Sequence, residues 1–228
     1  AARAGAKKVF AIEYDPYIAK LAAQSVQLNG FSDVVDIVVG DVRNVNFPKD
    51  TVFDVVIMEM LTTGMIDEYQ VWTMNNLHAK GYITSSTRLI PQQQDTYIAL
   101  ANTDFTNYGL MMRMVRHIWE PHCTIDLSVL TKTELLNSIA FNTSNSLSSN
   151  TTTVFTAEES GIINSVYITS KTILDEQTEV GDTAALNAPV VWPLEKDIEV
   201  QKGDSIEATI NYDFGGGFRN FNVQVRKL

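Results

Sequence analysis

Two patterns of apolar and polar positions meet near Pro91. Ahead of it, continuous apolar runs alternate with stretches whose apolar residues recur at helical spacing. The runs at residues 9–13, 34–39 and 53–58 have the length and β-branched content of buried strands. Residues 16–29 and 67–79 read as helices. The first has Asp15 as N-cap, Pro16 at its first position and Gly30 just past its end; Gly81 closes the second. Residues 1–4 read as the last turns of another helix, with Gly5 as its terminal glycine. Strands alternating with helices in this way predict a parallel α/β sheet.

Beyond Pro91 the runs are short and alternate residue by residue, at 95–101, 154–156, 161–173, 198–200, 205–212 and 218–226. These predict antiparallel strands of a sandwich or barrel. One helix is expected among them, because Thr131-Lys132-Thr133-Glu134 has the spacing of a capping box ahead of Leu135-Leu136. Residues 141–153 are almost all Asn, Ser and Thr, and their pattern fits a surface loop or a polar strand pair equally. The reading is a parallel α/β unit over residues 1–91 and a mainly antiparallel β-barrel or sandwich over residues 92–228.

Composition narrows the class. A chain with 45% hydrophobic and 19% charged residues can bury an ordinary globular core. No apolar stretch is long enough to span a bilayer, and no secretory signal stands out. A single cysteine, Cys123, excludes an internal disulfide and fits the cytoplasm. His78, His117 and His122 lack metal-ligand spacing, so no metal is expected. The formal charge of −10, with no dense Lys/Arg run, makes a nucleic-acid partner unlikely. It would steer a basic substrate such as an Arg-rich protein tail, although acidity also serves solubility.

The candidate chemistry lies where predicted strands end, the edge at which open α/β sheets bind ligands. Glu59 leaves the strand at 53–58, and Glu68 opens the next predicted helix, nine positions on. Gly64 between them permits a tight reversal. Two carboxylates converging there could clamp a planar guanidinium, whose donors form a fork; an acidic helix start is the plainer account of Glu68. Glu13 ends the first strand and suits a ribose diol. Asp41 follows the next and could accept from an adenine amino group, with Val42 packing on the ring; Gly40-Asp41 is also ordinary turn chemistry. The Gly-rich loop that accompanies such a ribose acid is expected ~20 residues earlier, ahead of Ala1. Residues 1–228 alone are therefore expected not to complete a cofactor site. Trp192, in a Pro-bounded loop, is read first as core and second as a groove wall. Gly215-Gly216-Gly217 is read as a hairpin loop.

The order Ala-Gly-Ala-Lys-Lys-Val ahead of Glu13, then Gly40-Asp41-Val42, then Glu59…Glu68, then Leu89-Ile90-Pro91 before a β-rich domain resembles the protein arginine methyltransferases. These are a branch of the class I S-adenosylmethionine-dependent methyltransferases. The resemblance implies a partial Rossmann-like domain over 1–91, a barrel-like substrate domain over 92–228, and S-adenosylmethionine as cofactor. It implies Glu59 and Glu68 as the pair gripping a substrate guanidinium, Glu13 at the ribose, and Asp41 and Val42 at the adenine. It leaves a homodimer open. The chain departs from that family at Met60-Leu61-Thr62-Thr63, where Trp-Met-Gly-Tyr is usual, and at Gln70, where Met is usual. Val190-Val191-Trp192 replaces Thr-His-Trp. The alternatives are a non-catalytic binding or scaffold relative, or a methylase acting on a small molecule or RNA.

Overall fold

The computed structural model describes residues 1–119, 125–183 and 187–228, so Cys123 and His122 lie outside the described residues. The chain packs as two units, Ala1–Thr51 and Val52–Leu228.

In the first unit a 3₁₀ turn, Ala2–Ala4, ends at Gly5 with φ 93°. Strands β1 (Val9–Glu13) and β2 (Val35–Val39) pair in parallel, with Glu13 opposite Val39. Helix α1 (Pro16–Leu28) makes the crossover. Its start is set as the sequence predicts: the Asp15 carboxylate accepts from the backbone N–H of Tyr17 and Ile18, satisfying donors that the helix cannot.

The second unit begins with β3 (Val55–Ile57), which reaches its parallel partner β4 (Arg88–Ile90) through α2 (Gln70–Ala79). The strands that follow are β5 (Gln93–Thr103), β6 (Thr106–Asn107), β7 (Leu110–Met111), β8 (Arg116–His117), β9 (Leu127–Val129), β10 (Glu134–Ala140), β11 (Ser148–Thr156), β12 (Gly161–Ile173), β13 (Glu179–Val180), β14 (Val190–Val200), β15 (Ser205–Asp213) and β16 (Asn222–Lys227). Every pairing among them is antiparallel. The larger sheet runs β10-β5-β12-β14-β8, with β9 on β5 and β13 on β12; a smaller one runs β11-β15-β16. Ile98 and Leu100 of β5, Ile163 and Ile168 of β12, Phe155 of β11, and Ile206 and Ile210 of β15 are all essentially inaccessible and form the core.

Four expectations are corrected. The helix expected after Thr131 is strand β10, paired with β5. Thr131 cannot cap a helix, because its hydroxyl accepts from the Leu100 N–H and donates to the Lys132 carbonyl within the sheet region. Residues 141–153 are a turn leading into the polar strand β11. Trp192 lies on β14 rather than in a loop. The early strands are not buried as their apolar content predicts: Val39, Val55 and Ile57 are 56%, 48% and 60% exposed. Each belongs to a two-stranded ladder.

Candidate active site

At the end of β1 and β2 the backbone N–H of Gly40 donates to the Glu13 carbonyl, so the two strand ends stay together. One Glu13 carboxylate oxygen accepts from the Asp15 N–H at 2.8 Å. The other has no partner among the described residues and is open to a hydroxyl donor. Asp41 is less open. Its carboxylate accepts from the Arg43 backbone N–H and from the Arg43 guanidinium on both oxygens. That hydrogen bonding holds the Asp41 carboxyl below the usual range. An adenine amino group would have to share this carboxylate. Val42 sits half-buried in the turn that follows, where the N–H groups of Asn44 and Val45 donate to the Asp41 carbonyl.

In the second unit, Met58 follows β3 with its N–H donating to the Ile90 carbonyl, and the next residue, Glu59, is exposed. The chain then forms a buried 3₁₀ turn, Thr63–Met65, in which Gly64 and Met65 have φ 67° and 51°. Two successive left-handed residues stop a helix from propagating backwards. Helix α2 consequently starts at Gln70, and Glu68 stands ahead of it rather than inside its first turn. Burial pushes the Glu68 carboxyl upward, and the charges of Asp67 and Glu59 push it the same way. Asp67 is exposed on one side and backed by protein on the other; burial raises its carboxyl and His117 opposes the rise.

The loop between the glutamates is held by distant residues. The Gln94 side chain donates to the Thr62 carbonyl, the Thr63 hydroxyl to the Ala188 carbonyl and the Gly64 N–H to the Ser170 hydroxyl. The Tyr212 hydroxyl donates to the Gly64 carbonyl at 2.9 Å. Gly215 and Gly217 donate their N–H groups to the carbonyls of Met65 and Ile66. The Gly215-Gly216-Gly217 turn, which the sequence marks only as a hairpin loop, is therefore a brace for the carboxylate loop. A Cβ at Gly215 would stand 2.7 Å from the Tyr69 ring and 3.1 Å from the Glu68 carbonyl, so only glycine permits the approach.

Residues to which the sequence reading gave no site role complete the surroundings. His117, on β8 directly opposite Val190, sets its ring edge-on to Phe218 at 5.7 Å. Phe218 in turn stacks on Trp192 at 5.9 Å. A histidine therefore stands across the ladder from the Val190-Val191-Trp192 segment that lacks one. Gln70 is fully buried, and neither of its amide atoms has a partner among the described residues. No metal-ligand cluster occurs among the described residues, and no helix is long and apolar enough to cross a membrane.

Residues 1–88 match the TRM5/TYW2 methyltransferase domain. An uncharacterised protein of Methanocaldococcus jannaschii is 29% identical over 220 residues, covering 96% of this chain and 78% of that protein. An uncharacterised protein of Methanothermobacter thermautotrophicus is 26% identical over 220 residues, covering 96% of this chain and 79% of that protein. Among solved structures, the Trypanosoma brucei PRMT1 enzyme–prozyme heterotetrameric complex with AdoHcy aligns with a TM-score of 0.73 at 15% identity, covering 100% of this chain and 83% of that one. The fold is that of the class I methyltransferases. The chain is an S-adenosylmethionine-dependent methyltransferase, and S-adenosylmethionine is its cofactor.

Proposed function

We propose that the protein transfers a methyl group to a guanidinium nitrogen of arginine side chains in a basic protein or peptide. The observation that carries this reading is that Glu59 and Glu68 stand at the two ends of one loop whose backbone reverses at Gly64; burial raises the Glu68 carboxyl, and the charges of Asp67 and Glu59 add to the rise. Like charges held together without a partner are unfavourable, and a bound cation relieves both. When bound, S-adenosylmethionine supplies a methyl group on a cationic sulfur. A guanidinium is a poor nucleophile, since its lone pairs are delocalised and its charge repels the sulfonium. Glu59 and Glu68 offset that positive charge and turn one nitrogen toward the methyl, which is a positioning and electrostatic contribution. Glu13 would hold the ribose, with Asp41 and Val42 beside the adenine. The formal charge of −10 supports a basic partner.

In this reading residues 1–91 carry the cofactor and residues 92–228 form a barrel-like substrate domain. Self-association is part of the proposal. The β6–β7 hairpin presents Tyr108, Leu110 and Met111 fully or largely to solvent, an apolar surface suited to a second copy. A second acceptor class, RNA, is favoured by the match of residues 1–88 to the TRM5/TYW2 methyltransferase domain.

The test is transfer of radiolabelled methyl by the full-length protein to Arg-rich peptides and, in parallel, to transfer RNA. The arginine reading expects labelled peptide and unlabelled RNA, with loss of label in Glu59→Gln and Glu68→Gln. Label on RNA alone overturns it in favour of the second class. Cofactor binding with no transfer to either acceptor points to a scaffold or small-molecule role.

A further inference from the structure

Strand β15 turns Ile206, Ala208, Ile210 and Tyr212 toward the core, all at most 3% exposed. Three are apolar; the fourth carries a hydroxyl that a core position does not need for packing. The Tyr212 ring lies 5.3 Å from Phe214 and 5.1 Å from Phe221, contacts that phenylalanine would keep. The hydroxyl accepts from the Asn137 amide at 2.8 Å and donates to the Gly64 carbonyl at 2.9 Å. Burial pushes the phenol upward, so it stays protonated and remains a donor. On its other side Gly64 donates its N–H to Ser170 at 2.8 Å. Gly64 is near the midpoint between Glu59 and Glu68, and its left-handed backbone reverses the chain there.

We propose that Tyr212 is a positioning residue for methyl transfer: its hydroxyl, with Ser170 opposite, fixes the backbone at Gly64 and thereby holds the loop that carries Glu59 and Glu68. The proposal rests on the reading that these two carboxylates hold the acceptor. Removing the hydroxyl leaves the Gly64 carbonyl and the Asn137 amide buried without this partner. The loop relieves that cost by moving, and the carboxylates then separate toward water. Displacements of about an ångström at such groups reduce rates by roughly a hundredfold.

The decisive measurement is the titration of the Glu68 carboxyl, followed by carbon-13 NMR in the whole chain. Tyr212→Phe is expected to bring it down toward the ordinary glutamate value. In transfer assays the same variant should lower kcat by roughly ten- to a hundredfold while the KM for S-adenosylmethionine is unchanged. A purely structural role would lower the melting temperature and leave the Glu68 titration where it is; that result overturns the proposal. Should Tyr212→Phe fail to fold, Ser170→Ala decides, because it releases Gly64 from the other side and must move the titration in the same direction. A Glu68 titration that moves as expected in a protein that methylates no arginine peptide upholds the positioning of the loop and fails only the acceptor reading.

Discussion

The edge carrying Glu13 and Asp41 and the loop carrying Glu59 and Glu68 are assembled in opposite ways. At the edge, Glu13 bonds the Asp15 N–H and Asp41 is held by Arg43, each two residues away. In the loop, residues 62–66 are bonded to groups from 32 positions along the chain (Thr62 to Gln94) to 151 (Ile66 to Gly217). A turn built from neighbours forms wherever its own few residues are intact. A turn built from distant strands exists only when those strands have packed. The contacts of Glu13 and Asp41 are thus set locally, and the loop between Glu59 and Glu68 depends on the β-rich region.

The largest expected effect separates the braced region from the open strands. Ile168 is wholly buried on β12, two residues before Ser170, and Ile57 on β3 is 60% exposed. Ile168→Ala should cost about 2–5 kcal/mol in denaturant unfolding, and Ile57→Ala less than about 1 kcal/mol. Similar costs would mean that the two regions are not packed differently after all.

Next comes the chemistry of the loop. Glu59→Gln and Glu68→Gln should each reduce methyl transfer by at least about a hundredfold, with S-adenosylmethionine affinity unchanged in calorimetry. A parallel loss of cofactor binding would break the division between edge and loop. Glu13→Ala should give the reverse pattern, weakening the cofactor by about 1–3 kcal/mol through unpaired ribose hydroxyls and sparing kcat at saturating cofactor.

The smallest effect is on stability. The Glu68 carboxyl is raised in the folded protein, so the native state holds that proton more tightly than the unfolded chain. Its favourable contribution is complete below the ordinary glutamate value and is lost as pH rises through the raised one. Glu68→Gln has no such loss. It should be the more stable protein at pH 7, by under about 1 kcal/mol for a charge partly open to water, and the advantage should disappear near pH 4. An advantage that persists in acid would place its cause outside the charge.

What could be read along the chain follows the same division. Asp15-Pro16 starts α1 as predicted, because an N-cap needs only the next two N–H groups. The bounds of β1 and β12 follow from their own apolar patterns. The capping-box spacing at Thr131 misleads, because the hydroxyl it relies on is engaged by Leu100 from another strand. Trp192 misleads for a related reason: prolines flank it in sequence, yet Val191 and Pro193 both pair with β12 in the ladder.

The spacing of Glu59 and Glu68, the acidic balance, and a glycine between the carboxylates were determined by the sequence alone. The path of the loop between them was decided only by tertiary structure. A ten-residue segment has many ways to separate its two ends. The one the chain adopts is selected by the Tyr212 hydroxyl, the Ser170 hydroxyl and the Gly215–Gly217 turn, groups that reach the loop only after β12, β15 and β16 have formed their sheets.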